Sequence, residues 1–398
     1  MKLKDKLFVV ADDLTGALDT GVPFAANGLA VRVQSDPTLM DSVGAEDCDV
    51  LIVCTRSRHL PSKQAQRVVR DTFFAARQAG VFGCYIKKLD STLRGNLGAE
   101  LEGMILALDA SCIHVLNAFP AAGRTTLNGV QYVYGQPVDR TSFAKDPFNP
   151  IRSANILQTL QAQSPLIQAH PERIRIYDAQ TDGDIGKVID QLSAQGELKT
   201  LAGCAGLAAE LAKLWKKSCV VTCDAHLPQK PFILCGSLNP AADAQMEWAQ
   251  TCGAHVETLP MAFLKGDPIE GAREAKRLIA LHQRETVILR TPRPSSGQTS
   301  DAADGSRMAA SMGRCYATLL EAGFDSSFLI IGGDTLEACM DAVCSRELIP
   351  LGEPLPGTVL CRALYQGNTR YLLSRAGGFG NSRALVDLLE LMKGGISQ

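Results

Sequence analysis

Short apolar runs alternate along the chain with stretches of helical period. Five apolar residues, Leu7–Ala11, give way at once to Asp12-Asp13 and then to Leu14-Thr15-Gly16-Ala17. A run apolar at every position reads as a strand buried on both faces, and the residues after it read as the opening of a helix. Further strands are expected at Val31–Gln34, Val50–Thr55, Gly83–Lys87, Ile113–Leu116 and Ile174–Tyr177. Helical patterns lie between them, such as Ser62–Gln78 with Ser62 as its cap, and Leu201–Leu214 reads as a closing helix. Strands and helices in alternation imply a parallel sheet with helices on its faces. The stretch from Ala118 to Pro150 breaks this rhythm. Rich in Gly, Pro, Asn and aromatics, and too long for a plain connection, it is expected to carry function.

A polar, proline-bearing stretch, Cys223–Pro231, reads as a linker. The unit after it repeats one device three times, an apolar strand running into a small-residue turn and then a helix. Phe232–Cys235 leads to Gly236-Ser237 and a helix from Pro240. Phe328–Ile331 leads to Gly332-Gly333-Asp334-Thr335 and a helix from Leu336. Tyr371–Ser374 leads to Gly377-Gly378-Phe379-Gly380-Asn381 and a helix from Ser382. Pro292–Ser306 reads as a mobile, polar Ser/Gly-rich loop. At 398 residues the chain exceeds one comfortable core. The expected fold is therefore α/β with two domains, each a mainly parallel sheet flanked by helices. They span residues 1–223 and 232–398 with a linker at 224–231, and the active site is expected in the cleft between them.

Composition narrows the function classes. Hydrophobic residues make up 46% and charged residues 21%, and the net charge of -2 leaves no electrostatic footprint for nucleic acid or an anionic membrane. No apolar run reaches the ~18 residues of a membrane span, and no signal region is evident, so a cytoplasmic location is expected. The 13 cysteines are odd in number and mostly sit in apolar runs such as Ile52-Val53-Cys54, which fits free thiols used as small core residues. Cys219 and Cys223 have half the spacing of a metal site, with no second half nearby, so metal ligands stay unassigned.

Candidate chemistry gathers at strand ends, where parallel sheets place their ligands. Adjacent carboxylates raise each other's pKa, so Asp12-Asp13 is costly unless it serves a site or caps the following helix; Asp12, directly at the strand end, reads as the site acid and Asp13 as the cap. Two more strand ends carry charge: Val53–His59 with Arg56 and Arg58, and Gly83–Asn96 with Lys87, Lys88, Asp90, Ser91 and Arg94. Strand alternation puts Lys88 and Asp90 on one face and Lys87 on the other. Arginine suits a planar carboxylate through two parallel hydrogen bonds, although each basic residue alone also reads as solvated surface charge. The glycine turns of the second unit let backbone amides and a helix dipole approach a phosphate, yet none has Walker A or dinucleotide-fingerprint spacing. Asp334 fits either a magnesium ligand or, with Thr335, a helix cap. Together these point to a small anionic, hydroxylated substrate and a nucleoside triphosphate.

Several of these motifs in order resemble the four-carbon acid sugar kinases. They are Ala11–Ala17, Ser57-Arg58, Lys87–Asn96, Phe119-Pro120 with Gly123-Arg124, Asp146-Pro147 with Pro150, Gly332–Thr335 and Gly377–Gly380. The long Lys87–Asn96 string is the specific one; Gly-Gly-Asp-Thr alone is weak. The resemblance implies an N-terminal domain that binds a four-carbon sugar acid and a C-terminal domain that binds ATP with Mg2+. It implies phosphorylation of the terminal 4-hydroxyl of D-threonate or D-erythronate, with 3-oxo-tetronate as the alternative within the family. By position, Asp12, Arg58, Lys88, Asp90, Ser91 and Arg94 fall on the substrate side. Asp12 is placed first and Asp90 second as the carboxylate nearest the attacking hydroxyl, and Arg58 with Lys88 or Arg94 would hold the substrate carboxylate. Ser237, Gly332, Gly333, Asp334, Thr335, Gly377 and Gly378 fall on the nucleotide side. Two departures, Leu336 where serine is frequent and Arg375-Ala376 where lysine-serine is frequent, bear on the phosphate contacts. The expected partners are a sugar acid and a nucleotide, not nucleic acid or membrane, with a homodimer as the prior. Competing classes are a hydroxy-acid oxidoreductase and a non-catalytic sugar-acid sensor.

Overall fold

The computed structural model describes residues 6–38, 48–146, 149–215, 230–293 and 302–393. The chain divides into two compact units between Val220 and Val221. Cys219, Cys223 and most of the stretch expected as a linker, 224–229, lie outside the described residues.

The first unit runs β1 (Lys6–Ala11), α1 (Leu14–Ala26), β2 (Val31–Gln34), β3 (Val50–Cys54), α2 (Ser62–Ala79), β4 (Phe82–Lys88), α3 (Leu97–Leu108) and β5 (Ile113–Leu116). A small antiparallel sheet follows, of β6 (Arg124–Leu127), β7 (Val130–Val133) and β8 (Gln136–Pro137). The unit closes with α4 (Ile156–Gln163), α5 (Pro165–Ala169), β9 (Ile174–Ile176), α6 (Asp182–Gln195), β10 (Thr200–Gly203) and α7 (Ala205–Ala212). The main sheet has the order β2-β3-β1-β4-β10-β5-β9, parallel throughout. From β1 the chain builds β2 and β3 to one side and then places β4 on the other, so β1 ends at a reversal of strand order, where α/β sheets open a crevice. Beneath it Phe8 is fully buried, its ring centroid 5.9 Å from Phe73 and 4.9 Å from Phe82. Burying each such ring contributes about 2 kcal/mol.

The second unit contains β11 (Phe232–Cys235), α8 (Pro240–Thr251), β12 (His255–Thr258), α9 (Met261–Lys265), α10 (Pro268–Arg284), β13 (Val287–Arg290), α11 (Ala302–Glu321), β14 (Phe328–Ile331) and α12 (Gly333–Ala342). It ends with an antiparallel meander of β15 (Glu347–Leu355), β16 (Thr358–Tyr365) and β17 (Asn368–Arg375), followed by α13 (Ala384–Lys393). Its strands follow the order β12-β13-β11-β14-β17-β16-β15, the first five parallel. The three glycine turns therefore leave adjacent parallel strands in register, with Cys235 opposite Ile331 and Ile331 opposite Arg375.

Three local expectations need correction. Leu201-Ala202-Gly203 is strand β10 between β4 and β5, and the helix starts only at Ala205. Three apolar residues are too few for their period to separate strand from helix, and Gly203 packs directly on the Leu116 backbone. Ser62 is the first helical residue of α2 instead of its cap, because Pro61 takes the cap position with no side-chain bond. The loop expected at 292–306 is helical from Ala302, and its residues 294–301 lie outside the described residues. No helix among the described residues is long and apolar enough to cross a membrane.

Candidate active site

Three strand ends of the first unit deliver charge to one place. Asp12 follows β1 directly and is 3% exposed. Its Oδ2 accepts a hydrogen bond from Arg58 Nε at 2.7 Å. The same guanidinium donates through Nη1 to Asp13 Oδ2 at 2.7 Å and faces Asp90 Oδ1 through Nη2 at 3.6 Å. Arg58, on the loop after β3, thus ties together the acids that follow β1 and β4. Asp13 also caps α1, accepting from the Gly16 N–H at 3.0 Å. The pair of acids is split: Asp13 is cap and ion-pair partner, and Asp12 is free of the helix.

Arg94 grips Asp90 with two bonds, Nη2 to Oδ1 at 2.9 Å and Nε to Oδ2 at 3.1 Å. Asp90 Oδ2 also accepts from the Thr92 N–H at 3.0 Å and from the Thr92 hydroxyl. The far side of Arg94 faces Asp146 at 3.6 Å. Ser91 lies half-buried in the same turn, its carbonyl held by Gln131 Nε2 at 2.9 Å. The backbone is strained on both flanks of this cluster: Arg56 has φ +52° and Leu93 φ +65°, left-handed conformations that side chains rarely adopt. Such strain persists where surrounding contacts over-determine a loop, a pattern that concentrates at functional sites.

The lysines part company. Lys87 is fully buried and pairs with Glu100 of α3 at 2.8 Å, and the other oxygen of Glu100 accepts from Ser57. Ser57 in turn bonds Thr55 at 2.8 Å, and Thr55 reaches the Ala11 carbonyl at 3.0 Å, so this buried chain of groups braces the ends of β1, β3 and β4. Lys88 lies beside Gly16 at the start of α1 and is 6% exposed. Its ammonium donates to the Leu89 carbonyl at 2.8 Å, and no described carboxylate lies within 4.0 Å of it.

Burial pushes the Asp12 carboxyl up, but the Arg58, Lys87 and Lys88 charges outweigh it and hold the group below its ordinary value. Asp90 lies well below its ordinary value for the same reason: burial raises it, and Arg94 and Arg58 more than compensate. Arg58, which burial alone would weaken as an acid-bound cation, is held firmly charged by Asp12, Asp13 and Asp90. One atom stands out. Asp12 Oδ1 is buried and has no hydrogen-bond donor among the described residues. A buried carboxylate oxygen left unpaired costs about 1–3 kcal/mol or more, and ligand groups are what such an atom accepts.

In the second unit the expected nucleotide-side residues come together. Gly377 lies directly against the Ser237 side chain and Gly236 against Thr335. Gly332 has φ +116°, open to glycine and strained for any other residue, and lets the turn pass close to the Ser237 N–H. Asp334 sits in the first turn of α12, and Gly378 lies in the turn between β17 and α13. Sequence reasoning passed over Glu100, Asn117 and Gln131, and took Asn96 only as the end of the Lys87–Asn96 string. Glu100 was legible only as one acid in an apolar helix, and Asn117 as a polar residue directly after an apolar strand. Asn96 pins the Ser57 and Leu60 carbonyls at 2.9 Å each, and Asn117 Nδ2 holds the Asp90 carbonyl at 3.2 Å.

Paired acids and cations at the end of one parallel sheet, and three glycine-bearing turns leaving adjacent parallel strands in the second unit, fit a two-domain kinase. The family models agree with that division: residues 7–172 match a sugar-binding N-terminal domain and residues 232–385 a nucleotide-binding C-terminal domain. The chain is 31% identical to a D-threonate kinase of Bordetella bronchiseptica over 95% of each chain. It is 26% identical to a 3-oxo-tetronate kinase of Cupriavidus necator, over 90% of this chain and 93% of that one. The crystal structure of a Salmonella typhimurium LT2 protein shares the fold with a TM-score of 0.76 at 21% identity, covering 96% of this chain and 98% of that one. The chain belongs to the four-carbon acid sugar kinase family.

Proposed function

We propose that this protein is an ATP-dependent kinase that phosphorylates the terminal 4-hydroxyl of a four-carbon sugar acid, D-threonate or D-erythronate. The observation that carries this is a pair of buried groups with spare bonding capacity in one crevice: Asp12 Oδ1 without a donor, and the Lys88 ammonium without a carboxylate. A hydroxy acid brings the complement of both, a hydroxyl donor and a carboxylate. Three protein acids already occupy Arg58, so the substrate carboxylate falls to Lys88, with the more exposed Arg94 beside it. Arg58 then serves to hold Asp12 ionised and in place. A carboxylate held ionised is a weak base but a strong acceptor. That suits a loose transition state, in which orienting the hydroxyl matters more than removing its proton early.

The nucleotide falls to the second unit, whose glycine turns and helix starts offer amides to its phosphates. No group of three metal-ligating side chains occurs among the described residues. This is compatible with a magnesium ion bound mainly by the triphosphate and touched by one carboxylate, for which Asp334 is proposed. When bound, the ion neutralises charge on the phosphate oxygens. The Cupriavidus relative favours 3-oxo-tetronate as the second reading. Titration calorimetry with D-threonate, D-erythronate, 3-oxo-tetronate and the uncharged polyol erythritol tests the acceptor side. The acids should bind saturably and erythritol should not, and Lys88→Met should weaken acid binding by about tenfold or more. Equal binding of erythritol and the acids would remove the carboxylate anchor.

A further inference from the structure

Arg375, the last residue of β17, is 2% exposed and is among the largest fully buried side chains of the protein. A buried guanidinium is normally matched by a carboxylate. Among the described residues none pairs with it. Nη2 donates to the Phe379 carbonyl at 2.8 Å, while Nε and Nη1 have no partner. Directly opposite on β16, the hydroxyl of Thr358 is likewise buried and without a partner among the described residues. Burial draws the Arg375 pKa down to about 10, so the folded chain already bears part of the cost of a desolvated cation.

The place of that cation is specific. Arg375 lies beneath the turn Ala376–Asn381, with Gly380 so close to Nη2 that a side chain there would collide with it. Gln245 of α8 joins Arg375 on the same carbonyl, donating from Nε2 to Phe379 at 2.9 Å. Two buried donors therefore hold the turn by a carbonyl. The backbone carbonyl of Arg375 accepts from the Gly332 N–H at 2.9 Å, linking this turn to the neighbouring glycine turn.

We infer that the Arg375 guanidinium is the positive charge the second unit keeps for the phosphates of its nucleotide, neutralised when a phosphate docks on the glycine turn above it. The inference rests on the nucleotide reading of that unit, and it assigns the charge to a residue outside the glycine turns themselves. A merely structural arginine would behave differently, because its removal would destabilise the free protein. An uncompensated buried cation can be replaced by an apolar side chain at little cost or with a gain.

The test uses the full-length protein with Arg375→Met and Arg375→Lys, probed by calorimetry with ADP, inorganic pyrophosphate and adenosine, and by thermal melting without ligand. Arg375→Met should bind ADP and pyrophosphate about tenfold or more weakly, hold adenosine unchanged, and melt no lower than the parent. Arg375→Lys should keep most of the phosphate affinity. ADP binding as tight in Arg375→Met as in the parent would overturn the proposal, as would a lower melting temperature with equal losses for adenosine and ADP. A parent that binds pyrophosphate but neither ADP nor adenosine would reject the nucleotide reading and leave Arg375 as a phosphate site. A parent that binds none of the three would reject both.

Discussion

Asp12 and Asp13 show how far two adjacent identical residues can diverge. One residue's offset decides that Asp13 caps α1 while Asp12 keeps a buried oxygen with no donor among the described residues. From the sequence, Asp12 directly at the strand end reads as the site acid and Asp13 as the cap, and Asp13 does make the capping bond to the Gly16 N–H. Arg58 was legible as a cation at a strand end but not in its role, because three acids converge on it from segments 32 to 46 residues away. Asp12→Asn keeps the size of the side chain and removes the charge proposed to orient the hydroxyl. It should lower kcat by about 10² or more with a much smaller change in the KM for the acid. Near-parent kcat in a variant with the parent's melting temperature would take Asp12 out of the reaction.

At the scale of elements, the mostly apolar strands β1, β3, β5, β11 and β14 were readable because burial on both faces leaves little ambiguity of period. Strand β10 and the meander strands β15 and β16 were not. The first is short and made of small residues, and the second mixes polar and apolar positions along an antiparallel ribbon. The buried pair Lys87–Glu100 was also hidden, since it joins a strand to a helix through the core. In the second unit α10 packs on β11 through His282, whose ring lies 5.4 Å from Phe232 and 5.3 Å from Phe324. Burial pulls its pKa down from 6.5 to about 4, against the hydrogen bond to the Lys230 carbonyl, which raises it, and with the Lys230 charge, which lowers it further. The folded state thus holds His282 neutral while the unfolded chain takes up a proton near pH 6.5, so stability falls as pH drops from above 6.5 toward 4. The loss is at most about 3 kcal/mol. His282→Asn should therefore show a smaller fall in Tm between about pH 7 and about pH 4.5 than the parent does. An identical fall in both proteins would place the acid sensitivity elsewhere.

At the scale of the whole molecule, each unit has its own run of parallel strands and its own core, and each carries one half of the proposed chemistry. That division was legible because the alternation of strand and helix stops at a polar, proline-bearing stretch and then restarts. Which acid the first unit accepts was not legible, because it depends on where the partners of the C2 and C3 hydroxyls sit to within a fraction of an ångström. The central claim is transfer of a phosphoryl group from ATP to a four-carbon sugar acid. Its most direct test is coupled ADP release with ATP, magnesium and a panel of D-threonate, D-erythronate and 3-oxo-tetronate, with the product read by phosphorus NMR. The account predicts ADP release that depends on one of these acids, in step with a 4-phosphate ester. ADP release no greater with any acid than with ATP alone, from protein that binds both ligands, would contradict it.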